Sequence, residues 1–413
     1  MNVVFPTCCG IDVHKSFLVA TIITTPKDSL QPNYLKKRFS TFNSDLKRFA
    51  AWLHEHNCLD VCMESTGKYW VPVYNILEAN SIRVVIANPK WVKAVKGNKD
   101  DTKDSKWIGD LFRSGLVKSS FIPDKRTRIL REFTRYRYKL TSMKSSEKNR
   151  FQNAFTVCNV ALDSVVSDMF GKSASAITSY LTSNEPFDPQ HCVSLLQRSL
   201  KKKADLVLDS IEGFSIADEQ KARISIIREH KEFLERSIEK VDACIAEMVK
   251  DMESTILLLC SVPDVDRASA ITVLSEIGCN MQQFGSSKRI CCWAGLTPGN
   301  NESAGKKKSV RISRARVYLK PALVQVAHAT VKDKDHPYYA IKYERIAKRR
   351  GKKRAIIAIM ILTAIFNILT TGELWNPVDL YKVDMPEQLK EKQLQKAINQ
   401  AIRFLEKQGL KVS

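Results

Sequence analysis

CGIDVHKSFLVATII, residues 9–23, decides the fold. Two β-branched runs, CGIDV and FLVATII, flank the short turn HKS, which predicts strand, turn, strand. The first strand carries one acid, Asp12, among apolar neighbours. Outward from this hairpin, KKRFSTF predicts a third strand. NSDLKRFAAWLHEH then sets Leu46, Phe49, Ala50 and Leu53 at i, i+3, i+4 and i+7, one helical face behind an Asn43 or Ser44 cap. LDVCM reads as a fourth strand, VPVYNILEA as a helix and IRVVIANP as a fifth strand. The order to about Leu116 is therefore β-β-β-α-β-α-β-α, an α/β domain.

Next comes KGNKDDTKDSKWIGDLFRS, residues 96–114, with Asp100, Asp101, Asp104 and Asp110 close together. Acids are unexpected here, because 66 Lys and Arg against 44 Asp and Glu leave a net charge of +22, a balance suited to polyanions. On a helix Asp101 and Asp104 share a face, which Ile108 and Leu111 continue toward the sheet. Asp100 and Asp110 fall off that face and read as surface charges. Glu64, at the end of the fourth strand in MESTGKYW, adds another acid. Singly, Asp12 could be a strand-end turn acid, Glu64 a cap partner and the Asp cluster a solvated first helical turn. Together, an acid on a first strand, one at the end of a fourth and a pair on a packed helix form the arrangement of RNase H-like nucleases. Like charges about 4 Å apart repel by about 4 kcal/mol at an effective dielectric near 20. Divalent metal removes that cost, and oxygen donors suit Mg²⁺, with Mn²⁺ as a substitute.

Residues 124–163 and 220–253 are long, charged and periodic. Ile129, Phe133, Tyr136, Leu140 and Met143, and likewise Leu234, Ile238, Val241, Ile245, Met248 and Met252, alternate spacings of four and three. These predict coiled-coil seams, paired as one hairpin or shared between subunits, around an irregular helical insert at 164–219. LLLCSVPDVDRASAITVLSEIG then predicts a helix-hairpin-helix-like element, with Asp264 and Asp266 where turn glycines are expected. The boundaries are 1–122 for the α/β domain, 123–253 for the coiled coil and insert, 254–380 for a mostly helical domain and 381–413 for a charged C-terminal helix.

Eleven cysteines show no CxxC pair. Cys58 and Cys62, the nearest approach to a metal pair, bracket an apolar strand-like run, so reduced, buried thiols are expected. AIIAIMILTAIFNILTT, residues 355–371, contains Asn367 and stands alone, which predicts a core helix rather than a membrane span. The start MNVVFPTCCG lacks a charged n-region before an apolar run, so a cytoplasmic location without membrane partners is expected.

GNNESAGKKKSVRISRAR places Ser303 before Lys306, Lys307, Lys308, Arg311, Arg314 and Arg316 in a Gly- and Asn-rich loop. Such a loop sets a hydroxyl beside phosphate and stabilises negative charge there. The same residues also read as a plain phosphate-binding loop or a helix cap.

GIDVHK, MESTG, NKDDTKDS and WAGLTPGNNESAGKKKSVRISRARVYLKPALVQVA together resemble the DEDD transposases, insertion-sequence recombinases related to the Piv-type DNA invertases. The resemblance covers roughly residues 8–116 and 255–376. It implies a RuvC-like, RNase H-fold domain, a coiled-coil arm and a transposase domain. It places Asp12, Glu64, Asp101 and Asp104 at the acidic tetrad, and Ser303 at the nucleophilic serine. A structured non-coding RNA bridging double-stranded donor and target DNA is also implied, with a homo-oligomer, dimer or tetramer, as the assembly. The resulting expectation is a recombinase. Its rivals are a RuvC-like endonuclease that activates water, such as a junction resolvase, and a non-catalytic nucleic-acid scaffold.

Overall fold

The structure, a computed structural model, describes residues 3–26, 31–65, 67–92, 101–297, 301–303, 306–309, 317–351, 358–377 and 387–407. The chain forms two compact units, Met1–Ile122 and Pro123–Ser413.

The first unit is built on five strands: β1 (Thr7–Val13), β2 (Phe17–Thr24), β3 (Asn33–Ser40), β4 (Asp60–Glu64) and β5 (Arg83–Ala87). Their order across the sheet is β3-β2-β1-β4-β5; the first three pair antiparallel, whereas β1 with β4 and β4 with β5 pair parallel. Helix α1 (Asn43–Glu55) links β3 to β4, and α2 (Trp70–Ala79) links β4 to β5. Beyond β5 lie the single turn α3 (Pro89–Val92) and α4 (Asp101–Arg113). This is an RNase H-like α/β domain.

Strand alternation divides the apolar residues between two cores. Cys9, Ile11, Val61, Met63 and Ile86 pack on one side with Leu46, Phe49, Ala50 and Leu53 of α1 and Val73 and Leu77 of α2. Cys8, Ile23, Cys62 and Ala87 pack on the other with Ile108 and Phe112 of α4. Helix α1 begins after Phe42, with no side-chain cap from Asn43 or Ser44. Asp45 instead turns its carboxylate back to accept from the Ser40 amide at 2.6 Å, tying the first helical turn to the end of β3.

One close approach fixes α4. A Cβ on Gly10 would lie 2.1 Å from the Ser105 carbonyl oxygen and 2.3 Å from the Gly109 nitrogen. Strand and helix backbones thus meet with only hydrogen between them. The buried Thr21 and Ser105 hydroxyls, 2.8 Å apart, lock the contact beside it.

In the second unit α5 (Lys125–Thr156) leads to α6 (Lys172–Leu181), α7 (Pro189–Ser194) and α8 (Ala204–Asp209), and α9 (Asp218–Met248) returns along α5. The two long helices therefore pair within one chain, held by Arg137 donating to Asp242 at 3.0 Å and by Glu147 with His230 at 3.1 Å. The α9 seam is as expected at Leu234, Ile238, Val241 and Ile245. On α5 the buried set is Thr127, Leu130, Thr134, Leu140, Glu147, Phe151, Ala154 and Phe155. Ile129, Tyr136 and Met143 are exposed, so of the five anticipated α5 positions Leu140 is the one fully buried. The insert has its own core, in which Leu162, Ile177, Leu181, Cys192, Leu196 and Val207 meet Phe155 of α5 and Ile224 of α9.

Helices α10 (Glu253–Leu259) and α11 (Arg267–Ile277) form the helix-hairpin-helix-like element. Asp264 occupies the left-handed region at φ 59°, which a short polar side chain tolerates, and Asp266 caps α11 by accepting from the Ser269 amide at 2.7 Å. The chain continues through α12 (Ser287–Trp293), the hairpin β6 (Asn301–Ser303) and β7 (Lys306–Ser309), α13 (Leu319–Thr330), α14 (Tyr338–Arg350), α15 (Ala358–Thr371) and α16 (Glu387–Lys407). Helix α15 buries Ile361, Leu362, Ile365 and Ile368 and packs on α12 and α13. Among the described residues no helix is long and apolar enough to cross a membrane.

Gly10→Ala should displace α4 at a cost of about 3 kcal/mol. The expected outcome is a fall in the Tm of the first unit of more than about 10 °C, read by thermal melting. An unchanged melting curve would show that the helix yields without cost.

Candidate active site

Parallel pairing of Cys9 with Val61, Gly10 with Cys62 and Ile11 with Met63 brings Asp12 and Glu64 to adjacent positions at the same end of neighbouring strands. Each acid alternates with residues that face α4: Asp12 follows Cys8 and Gly10, and Glu64 follows Cys62. Both are half-buried on that face.

The direction of α4 follows from its contacts. The Arg113 carbonyl accepts from the amides of Val4 and Phe5 at 2.9 and 3.2 Å, just before β1 begins, while Gly109 and Ser105 lie against Gly10. The helix therefore runs antiparallel to β1 and its N-terminal turn lies toward the Asp12 end. That turn carries Asp101 and the half-buried Asp104. The Asp101 side chain lies outside the described residues. The packed face of α4 runs through Ser105, Ile108, Gly109 and Phe112, with Leu111 at its flank. Amides at the N-terminus of a helix favour carboxylates nearby.

His14 is an addition to the expected set. Its Nε2 lies 3.1 Å from Asp12 Oδ2, and its ring leans on Phe17 at 4.5 Å between centroids. The two-residue spacing in GIDVHK is the one hint in the sequence, and it does not fix the approach, because His14 lies just beyond the end of β1 at Val13. Asp110 accepts from the Tyr34 hydroxyl at 3.0 Å, near the other end of α4; Asp100 lies outside the described residues.

Among the described residues no group of three or more His, Cys, Asp and Glu side chains is placed to hold a metal ion. The donor chemistry at the Asp12 end nevertheless fits a hard divalent cation, since Asp12, Glu64 and Asp104 offer carboxylate oxygens alone. Sulfur is segregated from it. Cys58 belongs to the core on one face of the sheet and Cys62 to the core on the other, so these two thiols do not form a metal pair. Burial pushes the Cys8, Cys58 and Cys62 thiols up to about 12 and holds Cys9 well above its ordinary value.

In the second unit Ser303 ends β6 and pairs in register with Lys306, and Glu302 pairs with Lys307. The backbone from Asn301 to Ser303 and from Lys306 to Ser309 is thus a two-stranded hairpin rather than an irregular loop. Lys308 lies in β7; Arg311, Arg314 and Arg316 lie outside the described residues.

A family model described as Transposase, DEDD_Tnp_IS110, matches residues 9–159. A second, described as Transposase IS116/IS110/IS902 family, matches residues 257–343. The chain belongs to the IS110 family of DEDD-type transposases. No curated protein matches the chain. The first match contains Asp12, Glu64, Asp101 and Asp104, and the second contains Ser303. As an insertion-sequence transposase the protein is a DNA-cleaving and recombining enzyme, and the nuclease domains of DEDD-type transposases generally use divalent metal ions.

Asp104→Asn keeps shape but removes a charge, and should abolish strand cleavage while duplex binding and Tm stay near the parent values. Asp110→Asn retains an acceptor for Tyr34 and should cleave normally; equal loss in both variants would place the reactive end of α4 wrongly. The buried thiols give a pH prediction. Their folded pKa is raised, so the stability they contribute is full below the ordinary thiol value near 9 and is lost as pH rises toward about 12. Melting from pH 8 to pH 11 should therefore show a decline, and Cys8→Ala with Cys62→Ala should make it shallower.

Proposed function

We propose that this transposase cuts and rejoins DNA with Ser303 as nucleophile and with Asp12, Glu64, Asp101 and Asp104 holding Mg²⁺, for which Mn²⁺ substitutes. The observation that carries the reading is the register of β1 on β4. It sets Asp12 and Glu64 side by side on the face toward which the Asp101–Asp104 turn of α4 is directed. Acids so gathered in a chain of net charge +22 are costly without a cation and useful with one. When bound, the ion would offset charge developing on the scissile phosphate.

The remaining chemistry belongs to the chain. Ser303 Oγ forms a bond to phosphorus as the bond to the leaving deoxyribose oxygen breaks; Oγ loses its proton and the leaving oxygen gains one. The number of P–O bonds is unchanged, so a hydroxyl of another strand can reverse the step and rejoin DNA without further energy. Water as nucleophile would discard that bond. Lys306, Lys307, Lys308, Arg311, Arg314 and Arg316 supply positive charge along the phosphates. In this reading a structured non-coding RNA bridges donor and target DNA, and the working assembly is a homo-oligomer of this chain.

The test is a protein-DNA adduct. With Mg²⁺, DNA and any required RNA, a substrate unable to religate should trap the parent enzyme on DNA. Ser303→Ala should lose adduct and cleavage together while binding persists; Ser309→Ala and Ser313→Ala should retain both. Normal cleavage by Ser303→Ala would make water the nucleophile and the protein an endonuclease. Absence of cleavage in the parent under every condition would leave a nucleic-acid scaffold.

A further inference from the structure

Between α5 and α9, residues 157–217 carry five Lys and Arg against seven Asp and Glu, so the insert is slightly acidic within a strongly basic chain. Four of the five cations, Arg198, Lys201, Lys202 and Lys203, fall within six residues, and these six form a short 3₁₀ segment of about two turns. All four are exposed. Nearby cations on the arm are neutralised locally, Arg150 by Glu147, Lys221 by Asp218 and Lys231 by Glu235. Among the described residues the four have no such carboxylate partner.

The turn is also held in place. The Gln197 amide donates to Ser173 Oγ at 2.9 Å, and Leu200 packs on the insert core. Arg198 takes a left-handed backbone at φ 51°, a conformation that costs a non-glycine residue energy and is kept only where its surroundings impose it. Lys201, Lys202 and Lys203 follow at consecutive positions of the same segment, so the four cations are gathered into one short stretch of positive charge.

We propose that this turn is a second, sequence-independent contact to the phosphate backbone of double-stranded DNA, at the end of the α5–α9 arm away from α11. Single strands are gripped by aromatic platforms together with charge, and residues 197–209 contain no aromatic side chain. Charge without rings suits a duplex backbone. The arm sets the reach. Thr134, which meets Ser275 of α11 at 2.9 Å, and Thr156, at the insert, lie about 33 Å apart along α5. That span corresponds to roughly ten base pairs, about one turn of duplex.

The experiment uses the full chain with the triple variant Lys201→Gln, Lys202→Gln, Lys203→Gln, and duplex DNA extending well beyond the cut. The slope of log affinity against log salt should flatten by about 2 to 3, because each lost phosphate contact removes roughly 0.9. A hydroxyl-radical footprint should shorten by about one helical turn. Replacing the three lysines by arginine should restore both. On a duplex too short to reach the insert, the triple variant should cleave at the parent rate, so failure here is distinguishable from failure of the Ser303 reading. If the triple variant melts early, Lys201→Gln and Lys203→Gln alone should each flatten the slope by about 0.9. Unchanged slope and footprint in folded variants would overturn the proposal. So would a loss confined to structured RNA with duplex DNA binding intact.

Discussion

The backbone contact between Gly10 and α4 is the constraint on which the candidate site depends. A side chain at that point would lift the helix away from the strand, and the Asp101–Asp104 turn with it. The apolar residues Ile108 and Phe112 make the helix adhere to the sheet, but they do not fix its height or register. The missing Cβ fixes the height, and the buried Thr21–Ser105 hydroxyl pair, which must be satisfied, fixes the register. Burial supplies the attraction, and two steric and polar details supply the position.

The second unit solves the same problem with charge. Glu276, 2% exposed, accepts from Arg135 Nε and Nη2 at 2.6 and 2.8 Å, while Arg131 donates to the Ser275 and Glu276 carbonyls at 3.0 and 2.7 Å. A buried carboxylate tolerates only a fully paired environment, so α11 has one acceptable seat on α5. Removing the Glu276 carboxylate would strand the Arg135 guanidinium, whereas Arg131 would keep its two backbone carbonyls.

Much of the first unit was legible in the residues, because alternation and helical spacing are strong where one face is buried. The α1 face at Leu46, Phe49, Ala50 and Leu53 is an instance. The α5 seam was not legible. Its buried positions include Thr127, which bonds the Asp124 cap of its own helix, and Thr134 and Glu147, which meet Ser275 of α11 and His230 of α9, whereas the more apolar phase through Ile129, Tyr136 and Met143 faces solvent. A pattern built on hydrophobicity alone chooses the wrong phase when tertiary partners are polar. The acids Asp12 and Glu64 could be placed because strand ends are countable; His14 could not, because its approach to Asp12 depends on how the chain leaves β1.

The sulfur in this sheet has a wider consequence. Cys8, Cys9, Cys58 and Cys62 are sealed in apolar cores and stay protonated at any ordinary pH, so they offer no thiolate to soft metals or oxidants. The carboxylates Asp12 and Glu64 stand half-buried at the strand ends, apart from the sulfur. A cell contains zinc and copper, which bind thiolates far more tightly than carboxylates hold magnesium. By keeping its cysteines as space-filling hydrocarbon analogues, the domain can be rich in sulfur without becoming a trap for the wrong ion.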